Sequence, residues 1–145
     1  MSRPEIVASA RGWIGTPYRH QASARGAGCD CLGLLRGVWR ECIGPEPEPV
    51  PPYTPDWDEP QRAEALWQAA ARHFLPKRID DEAEGDVLLF RIRRGCVAKH
   101  LGIAARTGAA PSFIHAYSRR GVLESSMSMP WRGRIVARFT FPWSV

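Results

Sequence analysis

The sequence predicts an α+β domain in which N-terminal helices pack on one C-terminal antiparallel sheet. Helical periodicity is confined to the region before Pro76, and short β-rich runs separated by Gly, Pro or charged turns fill the region after it. The chain has 145 residues, of which 44% are hydrophobic and 24% charged, so it can bury an ordinary core. We therefore predict a single domain over residues 1–145.

The strongest periodic signal lies in residues 31–42, where an amphipathic helix is predicted. Asp30 is a suitable N-cap, and Gly44 is a suitable stop. The apolar side chains recur with the spacing of one helical face, at Cys31, Leu34, Leu35, Val38, Trp39 and Cys42.

Two further helices and one insert complete the N-terminal half. A capping box that starts at Ser2 predicts a short helix ending near Gly15, and residues 61–75 are predicted to form another. Between them, residues 44–60 hold seven of the 13 prolines and five acidic residues. This composition predicts an extended insert that crosses the surface.

The C-terminal half contains short β-rich runs, and in the last of them Ile135, Ala137, Phe139 and Phe141 alternate with other residues, as in a strand with one buried face. Gly, Pro or charged residues separate these runs, as expected of turns. The predicted strands are residues 86–92, 101–105, 112–117, 122–125 and 134–141.

Cys31, His100 and His115 form the candidate catalytic group. Cys31 lies in the first turn of its helix, where backbone N–H groups and the helix dipole favour a thiolate. His100 and His115 lie on successive strands, and antiparallel pairing would make them cross-strand neighbours. One imidazole could then accept the thiol proton while the other orients it. Gly102 is expected to keep that face of the sheet open for substrate.

The other three cysteines are less suited than Cys31 to act as the nucleophile. Cys42 is on the same helical face as Cys31, but at the end where the dipole opposes a thiolate, so core packing is expected. Cys96 lies in a charged turn. Cys29 could pair with Cys31 as a redox couple, although so short a spacing strains a disulfide. A zinc module built from Cys29, Cys31, His100 and His115 is an alternative, with a tighter Cys spacing than zinc sites usually show.

Basic residues dominate the second half of the chain. From Val87 onward, ten Arg and Lys residues face a single acid, Glu124. This excess favours anionic partners, and a solvated surface that maintains solubility is the alternative. No nucleic-acid-binding motif is present, so nucleic acid is not an expected partner. The longest apolar runs fall well short of the ~20 residues of a membrane span, so membrane insertion is not expected either.

Several segments resemble motifs of the NlpC/P60 family of cell-wall peptidases. Residues 28–34 (Gly-Cys-Asp-Cys-Leu-Gly-Leu) resemble the family's Asp-Cys-Ser-Gly-Leu nucleophile motif, and residues 12–18 resemble the Gly-x-Pro-Tyr stretch before it. Residues 85–90 resemble the Gly-Asp-Leu strand, and residues 99–103 (Lys-His-Leu-Gly-Ile) resemble the His-Val-Gly-Ile base motif. Residues 113–116, followed by Gly-Val, resemble the segment that holds the third polar residue.

The resemblance implies a papain-like fold and hydrolysis of peptidoglycan stem peptides, commonly between D-glutamate and diaminopimelate, without a cofactor or metal. It makes Cys31 the nucleophile, His100 the base and His115 the residue that orients it. Tyr18 and the Cys31 N–H would stabilise the oxyanion, and Asp30 is placed with Tyr18 on the substrate-binding side. Leu32 departs from the family pattern, which has Ser there.

No secretory signal is visible, so synthesis in the cytoplasm is expected. The compact chain, with His20 and the Pro-rich insert, resembles the family branch found with phage tails and gene transfer agents. The resemblance implies tail or baseplate proteins as partners and delivery by the particle to the periplasm. A structural tail protein of the same fold that has lost activity is a further alternative.

Overall fold

The computed structural model describes residues 2–53 and 64–142. Helix α1 spans Arg3–Arg11 and begins as predicted, because the Ser2 side chain accepts a hydrogen bond from the Glu5 N–H. It ends four residues before Gly15, in a series of turns. Gly15 has a φ of 93°, a left-handed conformation that favours glycine and lets the chain turn toward the site.

Helix α2 spans Cys31–Cys42 and confirms the main helical prediction. The Asp30 carboxylate accepts a hydrogen bond of 2.7 Å from the Gly33 N–H, which fixes where the helix begins. A Cβ atom on Gly37 would lie 1.9 Å from the Trp13 ring, so glycine allows that buried ring to pack directly on α2. This contact helps to join the α1 region to the helix that carries Cys31.

Helix α3 spans Ala65–His73, within the predicted range of 61–75. The first three residues of that prediction lie outside the described residues. Of the insert, residues 44–53 are described and pack on α2 and α3. Glu46 binds Arg36 at 2.6 Å and Arg40 at 3.0 Å, and Glu48 binds His73 at 2.9 Å. Residues 54–60 of the predicted insert lie outside the described residues.

The main sheet has six strands in the order β3-β8-β4-β5-β6-β7, and every neighbouring pair is antiparallel. It confirms the predicted architecture and all five predicted strands, with shifted ends. The strands are β3 (Leu75–Lys77), β4 (Val87–Phe90), β5 (His100–Arg106), β6 (Ser112–Tyr117), β7 (Gly121–Ser126) and β8 (Ile135–Thr140).

The shortest elements were not predicted. A hairpin of β1 (Ser23–Ala24) and β2 (Gly28–Cys29) lies between α1 and α2, and helix α4 covers Met129–Arg132. Elements of two to four residues are too short to show a period. Strand β3 contains Pro76, which fits its position at the sheet edge, where a missing N–H costs no ladder bond.

The two faces of the sheet are buried differently. The helices cover the face that carries Leu89, Leu101 and Ile103. A smaller cluster that includes Phe90 and Phe113 covers the other face, together with Trp131 of α4. Each fully buried side chain of this size contributes roughly 1.5–3 kcal/mol, so both faces stabilise the sheet. Within residues 2–53 and 64–142, no helix is long and apolar enough to cross a membrane.

Candidate active site

A cavity of about 150 Å³ lies where α2 and β5 both begin. The α2 N-terminus contributes Asp30 and Cys31, and the start of β5 contributes His100. Tyr18 and Tyr53 line it from the preceding loop and the insert. A larger, mainly apolar cavity of about 320 Å³ lies between α2, α3 and the insert, and none of the predicted site residues lines it. The smaller cavity is therefore the candidate site, because it holds the groups that can react.

The Cys31 thiol is buried at the floor of this cavity. Its Sγ donates a hydrogen bond of 3.9 Å to the Lys99 carbonyl oxygen. Burial raises the pKa of Cys31 to about 12, and the nearby Asp30 charge adds to the rise. The backbone N–H groups of Leu101 and the first helical turn lower it by less. The helix start therefore favours a thiolate, as predicted, but burial and Asp30 outweigh this effect and hold the pKa of the thiol above neutral pH.

The two histidines are joined directly. His100 Nε2 lies 2.7 Å from His115 Nδ1. Ile103 pairs with Ile114, so His115 is expected beside Gly102, and the two rings meet diagonally across the strands. The two histidines are thus cross-strand neighbours, as predicted, in a diagonal rather than a directly opposite position. Nε2 of His100 is thus occupied, and Nδ1 has no hydrogen-bond partner among the described residues.

A third residue extends this pair and was missed in the sequence. Ser125 Oγ on β7 lies 2.9 Å from His115 Nε2. Burial lowers the pKa of His100 to about 3, helped by the neighbouring His115, and burial lowers the pKa of His115 to about 4. Both rings are neutral at pH 7. If His100 Nε2–H donates to His115 and His115 Nε2–H donates to Ser125, His100 Nδ1 is left as a free acceptor.

These shifted pKa values predict loss of stability in acid. The unfolded chain takes up protons on both histidines below about pH 6.5, whereas the folded protein resists protonation until about pH 3–4. The free energy of unfolding should therefore fall by on the order of 2 kcal/mol between pH 7.5 and pH 5.5. Urea denaturation at the two pH values measures it.

Two variants show whether the buried pair causes this dependence. His115→Gln should flatten the acid side of the stability profile, and His73→Gln, which changes a histidine outside the cavity, should leave its slope intact. A wild-type unfolding free energy that is constant from pH 7.5 to pH 5.5 would show that the rings do not resist protonation.

An aromatic cover lies over the histidines and was not predicted. The Trp131 ring centroid is 5.7 Å from that of His100 and 5.1 Å from that of His115. The Arg134 guanidinium lies 5.5 Å from the Trp131 ring centroid. Gly102 does not keep this face open: a Cβ there would lie 3.0 Å from the Phe113 ring. Substrate is therefore expected to approach through the cavity at the N-terminal end of α2.

The Asp30 carboxylate is fully engaged by protein groups. Besides Gly33, it accepts a 2.7 Å hydrogen bond from the Gln21 N–H and one from the Tyr53 hydroxyl. His20 Nε2 and the Gln21 side chain contact the Tyr53 carbonyl oxygen at 2.9 and 2.6 Å. Asp30 lines the cavity, but its contacts suit a residue that positions Cys31 and Tyr53. The insert was predicted only to cross the surface, so this contact of Tyr53 with Asp30 was not predicted.

Tyr18 is held beside Cys31 by backbone pairing. The Cys29 N–H donates to the Pro17 carbonyl and the Arg19 N–H donates to the Cys29 carbonyl, both at 3.0 Å. Burial raises the pKa of Tyr18 to about 12, and the charge of Asp30 adds to the rise, so the Tyr18 hydroxyl remains a donor at neutral pH.

Cys29 is fully buried, and burial raises its pKa to about 12. All four cysteines are free thiols, so Cys29 and Cys31 form no disulfide in this structure. In the part of the chain that the structure describes, no group of three or more His, Cys, Asp or Glu residues is arranged to hold a metal ion. The Cys29, Cys31, His100 and His115 set of the zinc alternative therefore has no support from geometry.

Known structures share this architecture. The NlpC/p60 domain of the peptidoglycan hydrolase SagA superimposes with a TM-score of 0.66 over 97% of this chain and 100% of that domain, at 23% identity. The chain has the NlpC/P60 fold. An NlpC/P60 family protein from Bacillus cereus matches it with a TM-score of 0.67 at 15% identity, over 97% of this chain and 40% of that protein.

One curated relative is closer in sequence. Murein DD-endopeptidase MepS/Murein LD-carboxypeptidase of Escherichia coli K12 is 31% identical over 123 residues, which are 84% of this chain. The match spans 54% of that relative's length. No protein-family model matches the sequence.

Proposed function

We propose that this NlpC/P60-fold chain is a cysteine peptidase that hydrolyses amide bonds in peptidoglycan stem peptides. The observation that carries the proposal is the single cavity shared by Cys31 and His100, with His115 and Ser125 continuing from His100. Acyl transfer requires a nucleophile, a base in the same site and a group that orients the base. Here Cys31 and His100 share the cavity, and the hydrogen bonds run from His100 to His115 and on to Ser125.

The mechanism follows from the neutral resting groups. A thiol with a raised pKa and an imidazole with a lowered pKa do not form a stable ion pair, so proton transfer accompanies attack. Cys31 Sγ attacks the substrate carbonyl as its proton passes to His100 Nδ1. The Cys31 N–H and the Tyr18 hydroxyl donate to the developing oxyanion. His100 then protonates the leaving amine, and water, activated by the same ring, hydrolyses the thioester.

His115 and Ser125 are proposed to position the base. The bond from His100 Nε2 holds the ring with Nδ1 free, and Ser125 fixes the tautomer of His115. Asp30 is proposed to act at a distance from the reaction, by fixing the start of α2 and the Tyr53 hydroxyl. The inactive structural protein remains the second candidate, and measured hydrolysis decides between the two.

The bond to be cut is proposed from resemblance. The D-glutamate–diaminopimelate bond is the first candidate. The relative MepS is named a DD-endopeptidase and an LD-carboxypeptidase, so cleavage of DD and LD peptide bonds should be tested as well. Purified peptidoglycan should be digested with wild-type protein and with Cys31→Ala, and the fragments identified by mass spectrometry. New fragments from wild type alone support the peptidase, and identical digests would contradict it.

We also propose that the protein works on a phage-like tail, with tail or baseplate proteins as partners, and reaches the wall from the particle. The support is the resemblance of the compact sequence to that branch of the family. Purified particles should contain the protein together with wall-degrading activity. If purified particles lack the protein, the proposed location on a phage-like tail is contradicted, whereas the proposed hydrolysis by Cys31 is not affected.

Ser125→Ala tests the proposed positioning role. Loss of one hydrogen bond to a buried neutral imidazole is expected to lower kcat by about three- to tenfold with little change in KM. Ser126→Ala, a change on the neighbouring residue of the same strand, provides the matched control. An unchanged kcat in Ser125→Ala would show that the tautomer of His115 is fixed without this bond.

A further inference from the structure

The positive charge of this protein is divided between paired and unpaired side chains. Of the 20 Lys and Arg residues, Arg62 lies outside the described residues, and twelve others have a carboxylate oxygen within 4.0 Å. The remaining seven have no carboxylate partner among the described residues. They are Arg19, Arg93, Arg94, Lys99, Arg119, Arg120 and Arg134.

Six of these seven either line the candidate active site or lie within two residues of a lining residue in the sequence, and we call them the basic rim: Arg19, Arg93, Arg94, Lys99, Arg119 and Arg120. Lys99 itself lines the cavity, and each of the others lies within two residues of a lining residue. Arg119 and Arg120 form the turn between β6 and β7, directly after the lining residue Ser118. Arg134, the seventh, covers Trp131 above the histidines.

No carboxylate of the described residues neutralises this rim. Asp30 is the acidic residue that lines the cavity, but it is 2% exposed and engaged by Gly33, Gln21 and Tyr53. Glu64 lies nearest the loop of residues 91–99, where it pairs with Arg91 at 3.0 Å and accepts a bond from the Ala98 N–H. Uncompensated charge around a cleft attracts substrates of opposite sign.

We propose that the basic rim selects stem peptides whose side-chain and α-carboxyl groups are free carboxylates, over the same peptides with those groups amidated. This inference rests on the proposed function and adds its substrate class. Glutamate and diaminopimelate residues carry carboxylates outside the bonds of the main peptide chain, and amidation removes that charge without changing the scissile bond. The rim would then act on peptide binding, while Cys31 and His100 act on the amide.

Binding separates this inference from catalysis. The affinity of Cys31→Ala protein is measured by calorimetry for a synthetic stem peptide with free carboxylates and for its amidated counterpart. At 50 mM NaCl the free form should bind about tenfold more tightly, and the advantage should shrink at 300 mM NaCl because exposed charges are screened. Equal affinities for the two peptides at 50 mM NaCl would overturn the proposal.

Variants with the same loss of charge locate the effect. Arg119→Ala/Arg120→Ala, in the Cys31→Ala background, should reduce the preference to about threefold or less. Arg72→Ala/Arg78→Ala removes two exposed, paired arginines outside the cavity and should preserve it. An equal loss in both double variants would show that net charge alone acts, and would overturn selection by the rim.

Wild-type hydrolysis of both peptides is measured in parallel. If the protein binds the free peptide more tightly than the amidated one but hydrolyses neither, the proposed peptidase activity is rejected and selection by the basic rim is retained. Hydrolysis of both peptides with equal KM would reject the rim and retain the peptidase.

Discussion

Replacing Cys31 with alanine is expected to lower kcat/KM for stem-peptide hydrolysis by at least about 10³-fold, because no other group in the cavity can form the thioester. The protein should stay folded. The Asp30 carboxylate and Gly33 N–H, which fix the start of α2, do not involve the sulfur. Activity is measured on purified peptidoglycan, and folding by circular dichroism and thermal melting.

Cys42→Ala makes the same chemical change at the other end of the same helix. Cys42 is buried at the opposite end of α2 from Cys31 and does not line the catalytic cavity, and its Sγ donates to the Glu5 carbonyl at 3.8 Å. This variant should retain activity and lose a small part of its stability. Substantial activity in Cys31→Ala, or a comparable loss in Cys42→Ala, would reject Cys31 as the nucleophile.

Replacing His100 with alanine is expected to lower kcat by about 10²–10⁴-fold, the usual contribution of a positioned base. The thiol depends on this base more than a thiolate would, because burial keeps Cys31 protonated at neutral pH. Raising the pH from 7 to 9.5 should increase the activity of this variant by up to roughly tenfold per pH unit, because the pKa of the thiol lies above that range and the thiolate fraction still grows with pH. Single-turnover kinetics on a synthetic stem peptide measure both effects.

His73→Ala is the control for this second prediction. His73, the last residue of α3, pairs with Glu48 of the insert and lies outside the catalytic cavity. Its loss should change kcat less than twofold. If His100→Ala kept wild-type kcat at pH 7, the thiol would not need the imidazole as its base.

The sequence predicted the parts of the fold that depend on local patterns. The period of residues 31–42 and the Asp30 cap placed α2 and Cys31 correctly. Short β-rich runs between turn residues located β5 and β6, and hence placed His100 and His115 on successive strands. The helix was found because burial of one helical face recurs at fixed spacing in the chain, and the strands because turn residues mark their ends.

Other parts of the site depend on contacts between distant residues. Ser125, Trp131 and Tyr53 reach the site from β7, α4 and the insert, and no local pattern marks a serine on a strand or a tryptophan in a one-turn helix. The diagonal meeting of the histidines depends on the register of β5 and β6. The raised pKa of Cys31 depends on burial by the completed fold, which a dipole argument from one helix omits.

The insert has a consequence for how the protein can be altered. It leaves the C-terminal end of α2, follows that helix through Glu46, and returns to its N-terminal end, where Tyr53 binds Asp30. One wall of the catalytic cavity is therefore anchored by a segment remote from the reaction. A protease nick or an inserted tag in residues 44–53 would disconnect that wall without changing any reacting group, so fusions are better placed at the turn of residues 107–111.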